Sequence, residues 1–151
     1  MIYLTITAGI FLLDYFLKRH IDKKYARKVK HPRLKGKVIL EKYYNNGAAF
    51  NLLAQKPAIM RALHTAILLV IGVVYYLTLR VSGRPLTKTG LAFLFGGGAS
   101  NLYDRYTKGH VVDYFHLNLG SKRLRQIIFN VSDFFVFIGA LLAVIGAEVE
   151  S

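Results

Sequence analysis

Four hydrophobic stretches divide these 151 residues, and that pattern leaves little room for a soluble globule. They run from Met1 to about Leu17, about Ala62 to Leu79, about Thr89 to Tyr103 and about Ile127 to Ala147. A helix that crosses hydrocarbon needs about 20 predominantly apolar residues. The second stretch is the cleanest and ends in IGVVYYLTL. The first is short, so flanking residues or local bilayer thinning must help it. It starts without a basic n-region and has no clear small-x-small cleavage site, which predicts a retained helix over a cleaved leader. Over half the residues are hydrophobic and the mean hydropathy is positive. The chain is therefore predicted to be an α-helical integral membrane protein with four transmembrane helices, in a single membrane-embedded domain covering residues 1–151.

Composition removes several chemistries. There is no cysteine, so disulfides, thiolate metal sites and a cysteine nucleophile are excluded together. Tryptophan is also absent, and any interfacial aromatic belt rests on tyrosine. The formal charge is +13, from 21 Lys+Arg against 8 Asp+Glu. The cations concentrate between hydrophobic spans, where phospholipid headgroups are the natural partner. No nucleic-acid recognition motif accompanies them, and no nucleic-acid partner is expected. The histidines (His20, His31, His64, His110 and His116) are scattered without paired metal-ligand spacing, so no histidine metal site is expected. Ser100 and Ser132 have no Lys or His at a nucleophile's spacing.

The loops differ in character. Lys18 to Pro57 opens with the basic run KRHIDKKYARKVKHPRLKGK, read as a solvated loop or an amphipathic helix lying on headgroups. KVILEKYYNNGAAFNLL follows, rich in β-branched and aromatic residues, and predicts a small β element with its turn at Asn46-Gly47. Ser82-Gly83-Arg84-Pro85 reads as a tight loop. Residues 105 to 126 read as another loop, polar from His116 to Arg123.

Ionisable groups within or beside spans cost free energy and persist when paired or functional. Asp14 has Lys18 one turn later, and an ion pair and a functional role are both open readings. Gly97, Asn101 and Asp104 share one helix face. The glycine run Gly96-Gly97-Gly98 allows close backbone approach, and Asp104 with Arg105 could form an interfacial ion pair. Asp113 lies beyond the third stretch. Asp133 lies about one and a half turns inside the fourth, with Asn130 three residues before it on the same face. The third stretch exits on the side where the fourth enters, so Asp113 and Asp133 can meet near one membrane surface. Two carboxylates in a partly desolvated site cannot both ionise cheaply and can share a proton. Such a pair can activate water and protonate an amide.

Four segments resemble the conserved blocks of the lipoprotein signal peptidases (signal peptidase II). They are LLDYFLK (Leu12 to Lys18), NNGAAFN (Asn45 to Asn51), GGGASNLYDRYTKGHVVDYFHL (Gly96 to Leu117) and FNVSDFFVFIGA (Phe129 to Ala140). They occur in the family's order and spacing. The resemblance implies a multi-pass aspartic endopeptidase of the bacterial plasma (inner) membrane, needing no metal or cofactor. Such enzymes cut signal peptides from prolipoproteins just before a diacylglyceryl-modified cysteine. Carried over by position, the catalytic carboxylates fall on Asp113 and Asp133. The supporting residues fall on Asp14, Asn45, Gly47, Asn101, Asp104, Arg105 and Asn130, with Asn45 and Gly47 in an extracytoplasmic β cradle. A monomer is expected, with lipid-modified signal peptides and membrane phospholipid as partners. Ser100 stands where the family usually has Gly, Ser132 where it has Ala, and Tyr114 where it has Phe, departures that bear on fine substrate preference.

The charge pattern opposes the implied topology. The loop from Lys18 to Lys56 carries twelve Lys and Arg residues, against Arg80, Arg84 and Lys88 in the next. The positive-inside rule would place the richer loop in the cytoplasm, whereas the resemblance places it outside, beside an outward-facing active site. The motifs are the more specific signal, and anionic lipid could hold the basic loop. Two other classes compete with a peptidase. A proton or ion transporter is disfavoured by only four spans and no duplicated half, and a non-catalytic paralogue by the intact Asp113 and Asp133.

Overall fold

The computed structural model describes residues 1–47, 52–122 and 124–150. Four helices carry the chain: α1 (Ile2–Lys24), α2 (Pro57–Arg80), α3 (Pro85–Thr107) and α4 (Val131–Val149). Three strands, β1 (Lys30–Arg33), β2 (Val38–Asn45) and β3 (Val111–Leu117), form one antiparallel sheet in that order. Prolines 57 and 85 open α2 and α3, where the missing N–H costs nothing and the fixed φ favours a helix.

Helix α3 is the hub, packing on α1, α2 and α4. Its three consecutive glycines explain how one helix serves three neighbours. A Cβ on Gly96 would sit 2.8 Å from the Thr7 carbonyl of α1, one on Gly97 2.8 Å from the Ser132 carbonyl of α4, and one on Gly98 2.9 Å from Leu68 of α2. Successive helical residues point about 100° apart, so three small residues in a row open three faces. The other end of α3 is held differently. Glu150, just past α4, accepts from the Leu86 and Thr87 N–H groups at 2.8 and 3.0 Å. It thereby covers orphan donors at the α3 N-terminus.

Helices α2 and α4 are long and apolar enough to cross a membrane. Helices α1 and α3 have 23 residues each, about 35 Å of helix, but bury charged and polar groups that lower their hydropathy. Large apolar side chains face outward, including Phe16 on α1, Val70 and Leu77 on α2, and Phe137, Leu141 and Val144 on α4.

Four expectations need correction. Helix α1 continues past Leu17 to Lys24, so the basic run begins within that helix, and Lys30–Arg33 of the same run form β1 instead of loop or helix. The β element has its hairpin turn at Leu34–Gly36, between β1 and β2, and Asn46-Gly47 instead leaves the sheet. The segment after α3 is not all loop, because Val111–Leu117 pairs with β2, Tyr43 opposite Asp113 and Asn45 opposite Val111. The fourth helix starts at Val131 instead of Ile127, so Asp133 lies in its first turn and Asn130 is its N-cap. Residues Ala48 to Asn51 of the NNGAAFN block, and Arg123, lie outside the described residues.

Candidate functional site

Each polar residue singled out in the sequence is positioned by a specific local device. Strand alternation sends Val112 and Tyr114 of β3 into an apolar cluster with Ile21 and Leu17, and turns Asp113 to the opposite face. Asn45, diagonal to it on β2, donates from Nδ2 to Asp113 Oδ2 at 2.9 Å. Asn130 and Asp133 form a capping box: Asn130 Oδ1 accepts from the Asp133 N–H at 3.0 Å, and Asp133 Oδ2 accepts from the Asn130 N–H at 2.9 Å. The box follows from Asn-x-x-Asp spacing at a helix start.

Asn130 joins the two acids. Its Nδ2 donates to Asp113 Oδ1 at 2.7 Å and to Asn101 Oδ1 at 3.1 Å. Asn101 in turn donates from Nδ2 to Asp133 Oδ1 at 3.0 Å. Every oxygen of both carboxylates therefore has an amide donor, and among the described residues neither makes an ion pair. Asp113 is almost wholly buried, while Asp133 is only half-buried. Burial first, and the Asp133 carboxylate beside it second, push the Asp113 carboxyl from 3.8 up to about 7.

A second acidic cluster lies deeper and is built on charge. Lys18 Nζ, 1% exposed, stands 2.7 Å from Asp14 and 3.4 Å from Asp104 and donates to Asn101 Oδ1 at 2.6 Å. The expected i,i+4 pair of Asp14 with Lys18 is thus present. Asp104, however, does not pair with Arg105. It takes Lys108 at 2.9 Å and accepts from the Val112 N–H at 3.2 Å. Asp14 also accepts from Ser100 Oγ at 2.6 Å and the Ser132 N–H at 3.3 Å. By holding the Asn101 oxygen, Lys18 turns that side chain's NH2 toward Asp133.

Arg105 is buried and uses carbonyls instead of carboxylates, donating to Gly47 O at 2.6 Å and Asn101 O at 3.4 Å. Gly47 completes a turn in which its N–H reaches Asn45 Oδ1 at 3.0 Å. A Cβ there would meet the Leu52 carbonyl and come within 3.0 Å of Ala54 N, so the close approach requires glycine. Beside this turn lies an open cleft of about 720 Å³, lined by Tyr43, Tyr44, Asn46 and residues 52–56.

The structure thus brings all nine sequence-nominated residues into one connected region. Sequence reasoning missed Lys18 as a hub. It also missed what two departures do: the Ser100 hydroxyl bonds Asp14, and the Tyr114 hydroxyl accepts from the Val131 N–H at 3.1 Å. Glycine or phenylalanine would supply neither bond. His64, 3.4 Å from an Arg105 nitrogen, gave no sequence signal beyond being polar within an apolar helix.

Comparison with known proteins points the same way. Residues 6–148 match the family model for signal peptidase (SPase) II. A lipoprotein signal peptidase of Aquifex aeolicus is 32% identical over 95% of this chain and 84% of its own length. That of Cupriavidus taiwanensis is 30% identical over 96% and 81%. Two solved structures described as bacterial membrane enzymes share the fold at 22% identity. One superposes with a TM-score of 0.83 over 97% of this chain and 87% of that one, the other with 0.80 over 99% and 94%.

Proposed function

The chain belongs to the signal peptidase II family, and from that premise we propose that Asp113 and Asp133 form an aspartic dyad that removes signal peptides from prolipoproteins. The observation that carries this reading is the pair itself: two carboxylates linked through Asn130, held by amides, with no cation in contact among the described residues. Cation-paired carboxylates would be locked in the charged form. Without a cation, burial and the second carboxylate outweigh the amide donors and let the pair share a proton. The buried Asp113 holds the shared proton and the more open Asp133 faces the incoming water. Asp133 accepts a proton from water as it attacks the scissile carbonyl carbon, while Asp113 protonates the carbonyl oxygen. Asp133 then passes its proton to the leaving nitrogen as the C–N bond breaks, and Asp113 takes back a proton from one hydroxyl of the tetrahedral intermediate as that carbon becomes the new carboxyl group.

Support for the surroundings is also physical. The outward-facing apolar side chains of α1, α2 and α4 fit a four-span arrangement in the bacterial plasma membrane. The half-polar cleft beside Asn45 and Gly47 suits an extended peptide whose cleavage point lies at the outer end of its hydrophobic run. The scissile bond on this reading is the one before the diacylglyceryl-modified cysteine, and the dyad faces the extracytoplasmic side. Because the chain has no cysteine, single cysteines report sidedness cleanly. One at Lys30 should be labelled by an impermeant reagent from outside intact cells, and one at Ser82 should not. Labelling of Ser82 alone would reverse the topology.

The activity is tested by incubating the purified protein with a diacylglyceryl-modified prolipoprotein and reading the products by mass. The expected product begins at the modified cysteine. An intact substrate, or a cut elsewhere, would overturn the reading.

A further inference from the structure

The tip of the β1–β2 hairpin carries charge that no acid among the described residues neutralises. Arg33, Lys35 and Lys37 are exposed around Leu34, itself 72% exposed. The loop after β3 packs against the same end, with Asn118 donating from its N–H to Lys37 O at 2.8 Å and from Nδ2 to Gly36 O at 3.1 Å. That loop adds exposed Lys122 and Arg125, and Leu119 at 47% exposure.

All eight acids of the chain are placed, so the balance can be closed. Asp14, Asp104, Asp113 and Asp133 belong to the buried network. Glu148 and Glu150 lie at the far end of α4, remote from the sheet. Of the remaining two, Glu41 lies on β2 and Asp22 on α1 beside it. Asp22 is taken by Lys42 and the Tyr44 hydroxyl, and Glu41 faces His116 at 3.5 Å. Arg33, Lys35 and Lys37 with Leu34 therefore remain at one end of the sheet, and the loop anchored there by Asn118 adds Lys122, Arg125 and Leu119.

We propose that this hairpin tip docks on the membrane surface by binding anionic phospholipid headgroups, with Leu34 and Leu119 seated at the headgroup level. The chemistry fits: basic side chains near a negative leaflet gain attraction that falls within a Debye length, and apolar side chains between them gain by leaving water. Docking there offsets the cost of a loop whose charge opposes the positive-inside rule. It also pins β2, and with it Asn45, at a fixed height above the bilayer.

The absence of tryptophan permits a direct test. Leu34→Trp places one indole at the tip of the full-length protein, reconstituted in vesicles of phosphatidylcholine with a quarter phosphatidylglycerol. The bromine quencher is carried on the acyl chains of one lipid or the other, at equal mole fraction. Brominated phosphatidylglycerol should quench about twofold more than brominated phosphatidylcholine. That preference should vanish in high salt and when Arg33→Gln, Lys35→Gln and Lys37→Gln are combined in the same reporter. Equal quenching at low salt would show lipid contact without headgroup recognition, and absence of quenching from either lipid would place the tip in solvent. Either result overturns the proposal. Neither depends on whether the protein cleaves a substrate.

Discussion

The buried acids fall into two pairs that obey different rules. Asp14 and Asp104 share Lys18, with Lys108 and Ser100 as further partners. Among the described residues, Asp113 and Asp133 have only amide partners. The pairs are adjacent, bridged by Asn101, yet one is neutralised and the other is not. A neutralised buried acid holds helices together, because removing its partner strands a charge. Burial and the neighbouring carboxylate raise the Asp113 pKa against its amide donors, so without a cation it can hold a proton near neutral pH. On the proposed dyad reading, the arrangement separates cohesion from chemistry within one network.

The largest expected effect is on cleavage. Asp113→Asn and Asp133→Asn should each lower the single-turnover rate by at least about a thousandfold while leaving the protein folded in detergent. Residual turnover near wild type in either variant would break the assignment. Lys18→Met tests the other pair. It leaves Asp14 and Asp104 buried beside one another, and should destabilise the fold by about 3–5 kcal/mol, read as a shifted unfolding midpoint in denaturant. A midpoint unchanged from wild type would mean the cluster contributes no cohesion.

Smaller effects sharpen the contrast. Asn45→Ala removes one donor from Asp113 and should slow cleavage about ten- to hundredfold, as loss of a hydrogen bond to a charged group costs about 1.5–3 kcal/mol. A loss equal to that of Asp133→Asn would place the β element inside the chemistry. The last of these concerns pH. The Asp113 carboxyl is raised from 3.8 to about 7, so between those values the folded protein binds more protons at this site than the unfolded chain. Stability contributed there must fall as pH rises from about 4 to 7 and level off above. Asp113→Asn should flatten that slope, and at pH 8 its thermal midpoint should exceed that of wild type. A parallel pair of stability curves would contradict the raised value.

Much of this was readable from residue order, and the exceptions have physical reasons. Apolar run lengths located the helices, because hydrocarbon thickness fixes what a span needs. Helix ends were less legible. Ile127 and Ile128 look like span residues, but Asn130 and Asp133 form a capping box that sets the start of α4 at Val131. Strand β3 was overlooked although Val-Val-Asp-Tyr-Phe-His-Leu carries β-branched and aromatic residues, because its partner β2 lies more than sixty positions away. Lys18 could be paired by helix spacing with Asp14 but not with Asp104 or Asn101, since those contacts depend on how α1 meets α3. The dyad candidates came from their positions at the span ends and from motif resemblance. Their linkage through Asn130, and the left-over cations at the hairpin tip, required coordinates.

The separation of cohesion from chemistry is tested most directly by comparing Asp14→Asn with Asp113→Asn in one experiment. For each variant, the folded fraction is measured by denaturant titration and single-turnover cleavage is expressed per folded molecule. Asp14→Asn should unfold at lower denaturant yet cleave within about tenfold of wild type per folded molecule. Asp113→Asn should match or exceed wild-type stability at pH 8 and show almost no cleavage. The opposite result, with Asp14→Asn stable but inactive and Asp113→Asn unstable but active, would contradict the account.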